Sequence, residues 1–147
     1  MIKGIHHASF TVSNMERSVA FYRDVLGMEV LWDSFEAGVK YKGEVSDNIT
    51  GCPGTEQHLV FMGIKGDFLE LVEFMPGGKS LEDHKASDVG AGHICFQTDD
   101  IQALYDRLLE HNAVVHCTPQ KGMSNRVMYF RDPDGIILEA VEGKTKV

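Results

Sequence analysis

The amino-acid sequence predicts an α+β protein made of two fused βαβββ modules. Three observations carry that prediction: a repeated opening segment, a repeated closing segment, and no linker between the halves. His7-Ala8-Ser9-Phe10-Thr11-Val12-Ser13-Asn14-Met15 is matched 86 residues later by His93-Ile94-Cys95-Phe96-Gln97-Thr98-Asp99-Asp100-Ile101. Each opens on a histidine, runs as a short alternating strand, and passes through a polar cap into an amphipathic stretch. The closing segment Lys65-Gly66-Asp67-Phe68-Leu69-Glu70-Leu71-Val72-Glu73 is matched by Asp134-Gly135-Ile136-Ile137-Leu138-Glu139-Ala140-Val141-Glu142, 69 residues on. The two offsets differ, so the first half carries a longer middle, between Trp32 and His58. Pro76-Gly77-Gly78 is the only break between the halves. The expected organisation is one domain, 1–147, with modules at about 4–75 and 90–143.

Each element follows from local chemistry. Ile5 to Val12 alternates as a strand. Ser13 is the expected N-cap, with Glu16 completing a capping box. Met15, Val19, Tyr22 and Val25/Leu26 recur at helical spacing, and Gly27 is a C′ stop. Met28 to Trp32 resumes as a strand; His58 to Ile64 and Phe68 to Val72 form a hairpin turning at Lys65-Gly66. In the second half Asp99 is the expected cap, followed by Ile101, Leu104, Tyr105 and Leu108 on the apolar helix face. Asn112 ends that helix in the left-handed conformation. Val114 to Cys117, Val127 to Phe130 and Ile136 to Val141 are the strands, the last two joined by the turn Asp132-Pro133-Asp134-Gly135.

Composition excludes several function classes. The 147 residues are 43% hydrophobic and 24% charged, which suits a globular protein rather than a disordered or fibrous one. Fourteen basic residues against 22 acidic ones give a net charge of −8. Nucleic-acid binding needs a basic stripe, and none is visible. No apolar run is long enough to span a membrane. The opening Met1-Ile2-Lys3-Gly4-Ile5-His6-His7 lacks the apolar core of a secretory signal, so a cytoplasmic protein is expected. Cys52, Cys95 and Cys117 are odd in number and widely spaced, which predicts reduced, mostly buried thiols. Met15 and Met28 are expected in the core.

Strand alternation then sorts the chemistry. His6, Ala8, Phe10 and Val12 form the set that packs under the first helix. His7, Ser9 and Thr11 face the other way, as do His93, Cys95 and Gln97 in the second module. Glu70 lies on one face with Phe68 and Val72, and Glu139 with Ile137 and Val141. A carboxylate in the middle of an apolar strand is costly unless it is paired or bound to a metal. One histidine and one glutamate thus recur in each half: His7 with Glu70, and His93 with Glu139. Two imidazoles and two carboxylates suit one divalent metal ion per site: Ni(II), Co(II), Zn(II), Mn(II) or Fe(II).

The run from His7 to Met28 (H-A-S-F-T-V-S-N-M-E-R-S-V-A-F-Y-R-D-V-L-G-M), the run G-H-I-C-F-Q-T-D-D-I from Gly92, and F-R-D-P-D-G-I-I-L-E from Phe130 resemble the vicinal oxygen chelate superfamily. That group contains glyoxalase I, methylmalonyl-CoA epimerase, bleomycin-resistance proteins and extradiol dioxygenases. The resemblance runs from about Ile5 to Glu142. It implies paired modules forming a cup-shaped mixed sheet, with helices on the outer face and a divalent metal within. It also implies the ligands His7, Glu70, His93 and Glu139; His6 is the neighbouring alternative, and alignment with His93 prefers His7.

The ligand set is most similar to that of bacterial glyoxalase I, which implies a lyase or isomerase working through a metal-stabilised enediolate. Glu139 is the first choice as catalytic base and Glu70 the second. Glutathione enzymes of this kind carry an arginine where this chain has Thr11, and an asparagine where it has Phe74. Epimerases carry glutamine where it has Glu70, although Gly90-Ala91-Gly92-His93-Ile94 and Asn125-Arg126-Val127 are epimerase-like. The expected substrate is therefore a small oxygenated molecule other than the glutathione hemithioacetal. Arg126, Thr11, Cys95 and Trp32 are the candidate substrate-binding residues. Trp32 and the segment from Tyr41 to Thr55 are expected to form a lid. The alternatives are an Fe(II) extradiol dioxygenase and a metal-free antibiotic-binding protein. The resemblance further implies a homodimer.

Overall fold

The computed structural model describes residues 1–81, 83–122 and 125–143. The chain forms two compact units, Met1–Ser80 and Leu81–Val147, each with its own mixed sheet. The first unit contains β1 (Ala8–Val12), α1 (Met15–Ala20), β2 (Glu29–Asp33), β3 (Tyr41–Lys42), α2 (Glu44–Thr50), β4 (Glu56–Ile64) and β5 (Asp67–Met75). The second contains β6 (Ile94–Thr98), α3 (Ile101–Glu110), β7 (Gln120–Lys121), β8 (Arg126–Arg131) and β9 (Ile137–Glu142). The strand orders are β1-β5-β4-β2, with β3 also on β4, and β6-β9-β8-β7. In each unit the first strand pairs parallel to the last, and every other named strand pairing is antiparallel. This is the expected α+β repeat.

The helices start one residue later than the sequence suggests, and by the same amount in both units. Asn14, not Ser13, caps α1: its side chain accepts from the Arg17 amide at 2.8 Å. Asp100, not Asp99, caps α3, accepting from the Ala103 amide at 2.9 Å. Asn and Asp are caps at least as good as Ser, and both residues here have the extended backbone a cap requires. Ser13 instead accepts from Arg17 Nη2. The first helical amides are taken by the last strands: Met15 N–H donates to Glu73 Oε2 at 3.0 Å, and Ile101 N–H to Glu142 Oε1 at 3.2 Å. The second glutamate of each closing segment thus ties a helix to its sheet.

The helix α1 runs into a π-helical turn, Phe21–Val25, and stops at Gly27 (φ +75°), with the Gly27 amide on Arg23 O and the Met28 amide on Tyr22 O. Asn112 takes a positive φ after α3, as expected. Lys65-Gly66 turns with positive φ at both residues, the geometry of a type I′ hairpin. The α1 side of the first sheet buries Met15, Tyr22, Val25, Met28, Val60, Met62, Leu69 and Leu71. The α3 side of the second buries Ile101, Leu108, Met128, Phe130, Leu138 and Ala140.

Three expectations need correction. The first strand begins at Ala8, so Ile5 to His7 precede it, and His93 likewise precedes β6. Val114 to Cys117 forms only one bridge, Val115 to Phe130, and pairing resumes at Gln120 opposite Val127. The register slips by two residues across Cys117-Thr118-Pro119, where Pro119 has no amide to donate and restrains the residue before it. The three thiols are free but exposed rather than buried, because Cys52 sits after α2, Cys117 in that slipped segment, and Cys95 on the open face of β6.

Candidate metal and substrate site

The face of each sheet away from its helix carries the candidate residues. Leu69, Leu71 and Glu73 point to α1, so Phe68, Glu70, Val72 and Phe74 point away. Ser9 is the parallel partner of Glu70 and Thr11 of Val72, which puts both on that same face. His7, just ahead of β1, brings Nε2 to 3.6 Å from Glu70 Oε2. Its ring stacks on Phe68 at 5.9 Å. His6 meets Phe68 edge-on, and its Nδ1 lies 2.7 Å from Nδ1 of His7.

The second unit repeats the arrangement. His93 Nε2 lies 3.0 Å from Glu139 Oε2. The parallel partner of Glu139 is Cys95, and the two side chains share the open face of the sheet. Burial, then the Glu139 charge, push the Cys95 thiol up to about 11, so it stays protonated at neutral pH and is no nucleophile. Among the described residues no three His, Cys, Asp or Glu groups gather as a metal cluster; the structure brings the candidates together as pairs. Each pair joins one imidazole to one carboxylate and stays open to solvent, at 34% and 14% side-chain exposure for His7 and Glu70, and 33% and 20% for His93 and Glu139. Such half-exposed nitrogen and oxygen donors fit a borderline divalent ion.

Sequence reasoning missed the aromatic side chains beside both carboxylates. Tyr129 pairs with Glu139 across β8 and β9, and its hydroxyl lies 3.2 Å from His93 Nε2. Burial and the nearby Glu139 raise its pKa. The corresponding neighbour of Glu70 is Phe61, which has no hydroxyl. Strand parity was the available signal: Tyr129 shares its strand face with Val127, directly opposite Val141. In the first unit an aromatic row continues from Phe68 through Phe61 and Trp32 to Tyr41, with successive ring separations of 5.5, 5.2 and 6.4 Å.

A cavity of about 540 Å³ opens on the same face. Ser9, Thr11, Gln57, Leu59, Glu70 and Val72 form its floor. The longer middle of the first half forms its wall, through Lys40, Tyr41, Val45 and Ile49. Thr11 therefore lies where a ligand of this cavity would touch it, and the segment expected as a lid is a side wall. Trp32 reaches the wall only through Tyr41. Ser46 Oγ donates to Gln57 Oε1 at 2.7 Å and pins α2 to β4.

The structure does not bring Arg126 to the face that carries Glu139. This arginine shares strand parity with Met128 and Phe130 and points to the α3 side, where Nη2 donates to Gln102 Oε1 at 3.2 Å and Nη1 lies 3.6 Å from Glu142. Three of the remaining histidines, His58, His84 and His116, have ordinary partners. His58 Nε2 is 2.8 Å from Asp33 Oδ1, His84 is near Asp88, and His116 accepts from Arg131 Nε. Burial and the Arg131 charge lower the pKa of His116.

The profile of the Glyoxalase/Bleomycin resistance protein/Dioxygenase superfamily matches residues 4–140. A lactoylglutathione lyase of Haemophilus influenzae is 30% identical over 145 residues, covering 96% of this chain and 93% of that protein. A metallothiol transferase FosB of Shouchella clausii is 31% identical over 147 residues, covering 97% and 82%. Among solved structures, a glyoxalase family protein from Bacillus cereus superposes with a TM-score of 0.82 at 20% identity, covering 97% of this chain and 95% of that one. No described helix is long and apolar enough to cross a membrane.

Proposed function

Because the chain belongs to the glyoxalase, bleomycin resistance protein and dioxygenase superfamily, we propose that it is a divalent-metal-dependent lyase or isomerase. It acts on a small oxygenated substrate through an enediolate, with His7, Glu70, His93 and Glu139 as the ligand set. The observation that carries this reading is the recurrence of one His–Glu pair at equivalent positions in both units. A bound Mn(II), Fe(II), Co(II), Ni(II) or Zn(II) ion supplies a Lewis acid for the negative charge that develops on a substrate oxygen.

The proton moves through the protein's own carboxylates. Glu139 is the base: it takes a proton from one carbon and returns it to the next. Cys95 and Tyr129, opposite it on the neighbouring strands, flank its carboxylate. Glu70 serves as the second carboxylate, with Phe61 opposite it on β4. The working form is a homodimer in the cytoplasm. The alternatives fit less well. A two-histidine, one-glutamate Fe(II) dioxygenase leaves Glu70 as a surplus donor, and a metal-free binding protein leaves both His–Glu pairs without a role.

Elemental analysis of the untagged protein tests the site directly. The expected result is about one equivalent of divalent metal per chain, lost in the His7→Ala/His93→Ala double variant. Protein that holds none of the five metals and takes up none when they are added overturns the proposal. Given a substrate, Glu139→Gln abolishes turnover with the fold intact; full activity in that variant removes Glu139 as the base.

A further inference from the structure

We infer that the cavity of the first unit selects a substrate with an apolar body and a single anionic end that rests against Lys40. The inference deepens the proposed function and rests on it in one respect, the placing of the reacting oxygens near His7 and Glu70. The choice of ligand is carried by the cavity itself.

Two apolar side chains one helical turn apart on α2, Val45 and Ile49, line this cavity while remaining 73% and 80% exposed. Leu59, Val72 and Phe74 line it from the sheet. Apolar surface left so open on a fixed wall is surface that a ligand can cover. The wall is fixed, because the Ser46–Gln57 hydrogen bond that holds α2 lies between two buried residues.

The charges are distributed unevenly. The chain as a whole carries −8, yet two lysines line this cavity. Lys42 is neutralised by Glu56, its Nζ 3.1 Å from Oε2. Lys40 has no ion pair among the described residues, and it is the one cation left to meet a ligand's negative group. Glu70 in the floor repels a second anion near the reacting end. A carboxylate or similar monoanion on an apolar chain satisfies all three features, whereas an amine is repelled by Lys40 and leaves it unpaired.

Trp32 is the single tryptophan, and its ring lies 6.4 Å from that of Tyr41 in the cavity wall, so its fluorescence reports on occupancy. The experiment titrates octanoate, octanol and octylamine into the chelator-treated protein and into protein with added Mn(II). Octanoate is expected to saturate the Trp32 signal in both and to bind about tenfold more tightly than octanol. Octylamine is expected to bind most weakly.

Lys40→Ala should remove the preference for octanoate over octanol, and Ile49→Asp should weaken both. These positions are exposed, so each variant should melt near the parent temperature. No saturable octanoate binding, equal binding of octylamine, or an unchanged preference in Lys40→Ala overturns the inference. Octanoate binding by a protein that takes up no metal overturns the metal reading alone. Metal uptake without octanoate binding overturns this one alone.

Discussion

The two units share a frame and differ in what they place over it. Both start a helix with an Asn or Asp cap, tie its first amide to a glutamate on the last strand, and set a histidine ahead of the first strand beside a glutamate on the last. Among the described residues the first unit adds β3 and α2, which wall the cavity on its sheet. Only the second places a phenol on its histidine, where the first has Phe61. The shared strands hold the His–Glu pairs and the cavity floor; the unshared parts add the wall that shapes what the floor can take. In a duplicated frame, divergence between the copies is therefore a guide to specificity.

The largest effects should come from breaking the shared core at matched positions. Met62 and Phe130 lie on corresponding strands, opposite Leu69 and Leu138, and both are fully buried. Met62→Ala should cost about 2–5 kcal/mol and Phe130→Ala about 3–5 kcal/mol, the ring leaving the larger void. Urea unfolding of the two variants measures both. A cost under about 1 kcal/mol at either position would show that the corresponding unit is not packed as described.

Much of this frame was legible in the sequence because it is local and repeated. Alternation assigned the faces of β1, β5, β6 and β9, and Gly27, Asn112 and Lys65-Gly66 marked their turns through backbone conformations that few residues adopt. The cap positions were off by one, since Ser13 and Asn14, or Asp99 and Asp100, are adjacent residues with similar capping chemistry. The roles of Glu73 and Glu142 were hidden for another reason: their amide partners are 58 and 41 residues away. Tyr129 was overlooked within its strand because Met128 and Phe130 on either side made the segment read only as core.

Caps give a smaller and sharper test. Asn14→Ala and Asp100→Ala should each cost about 1 kcal/mol, whereas Ser13→Ala and Asp99→Ala should stay within about 0.5 kcal/mol. Thermal or urea denaturation of the four variants distinguishes the observed caps from their neighbours. Equal losses at Ser13 and Asn14 would mean that both residues contribute to starting α1. Because the two units use the same device, the loss at position 14 should match that at position 100 to within a few tenths of a kcal/mol.

The smallest effect concerns Arg126, and it separates the two faces of the second sheet. The sequence offered this residue as an anchor for an anionic substrate group. The structure turns it to the helix side, where it meets Gln102 and Glu142. Its side chain is 39% exposed, so its ion pair with Glu142 contributes little, as partly solvated pairs generally do. Arg126→Ala should lower stability by less than about 1 kcal/mol. It should leave KM unchanged, because the His93–Glu139 pair lies on the opposite face of the sheet. Glu142 keeps its bond to the Ile101 amide in the variant, so α3 remains capped. A tenfold rise in KM with kcat unchanged would assign Arg126 to substrate binding after all, and would require its guanidinium to leave Glu142 when substrate arrives.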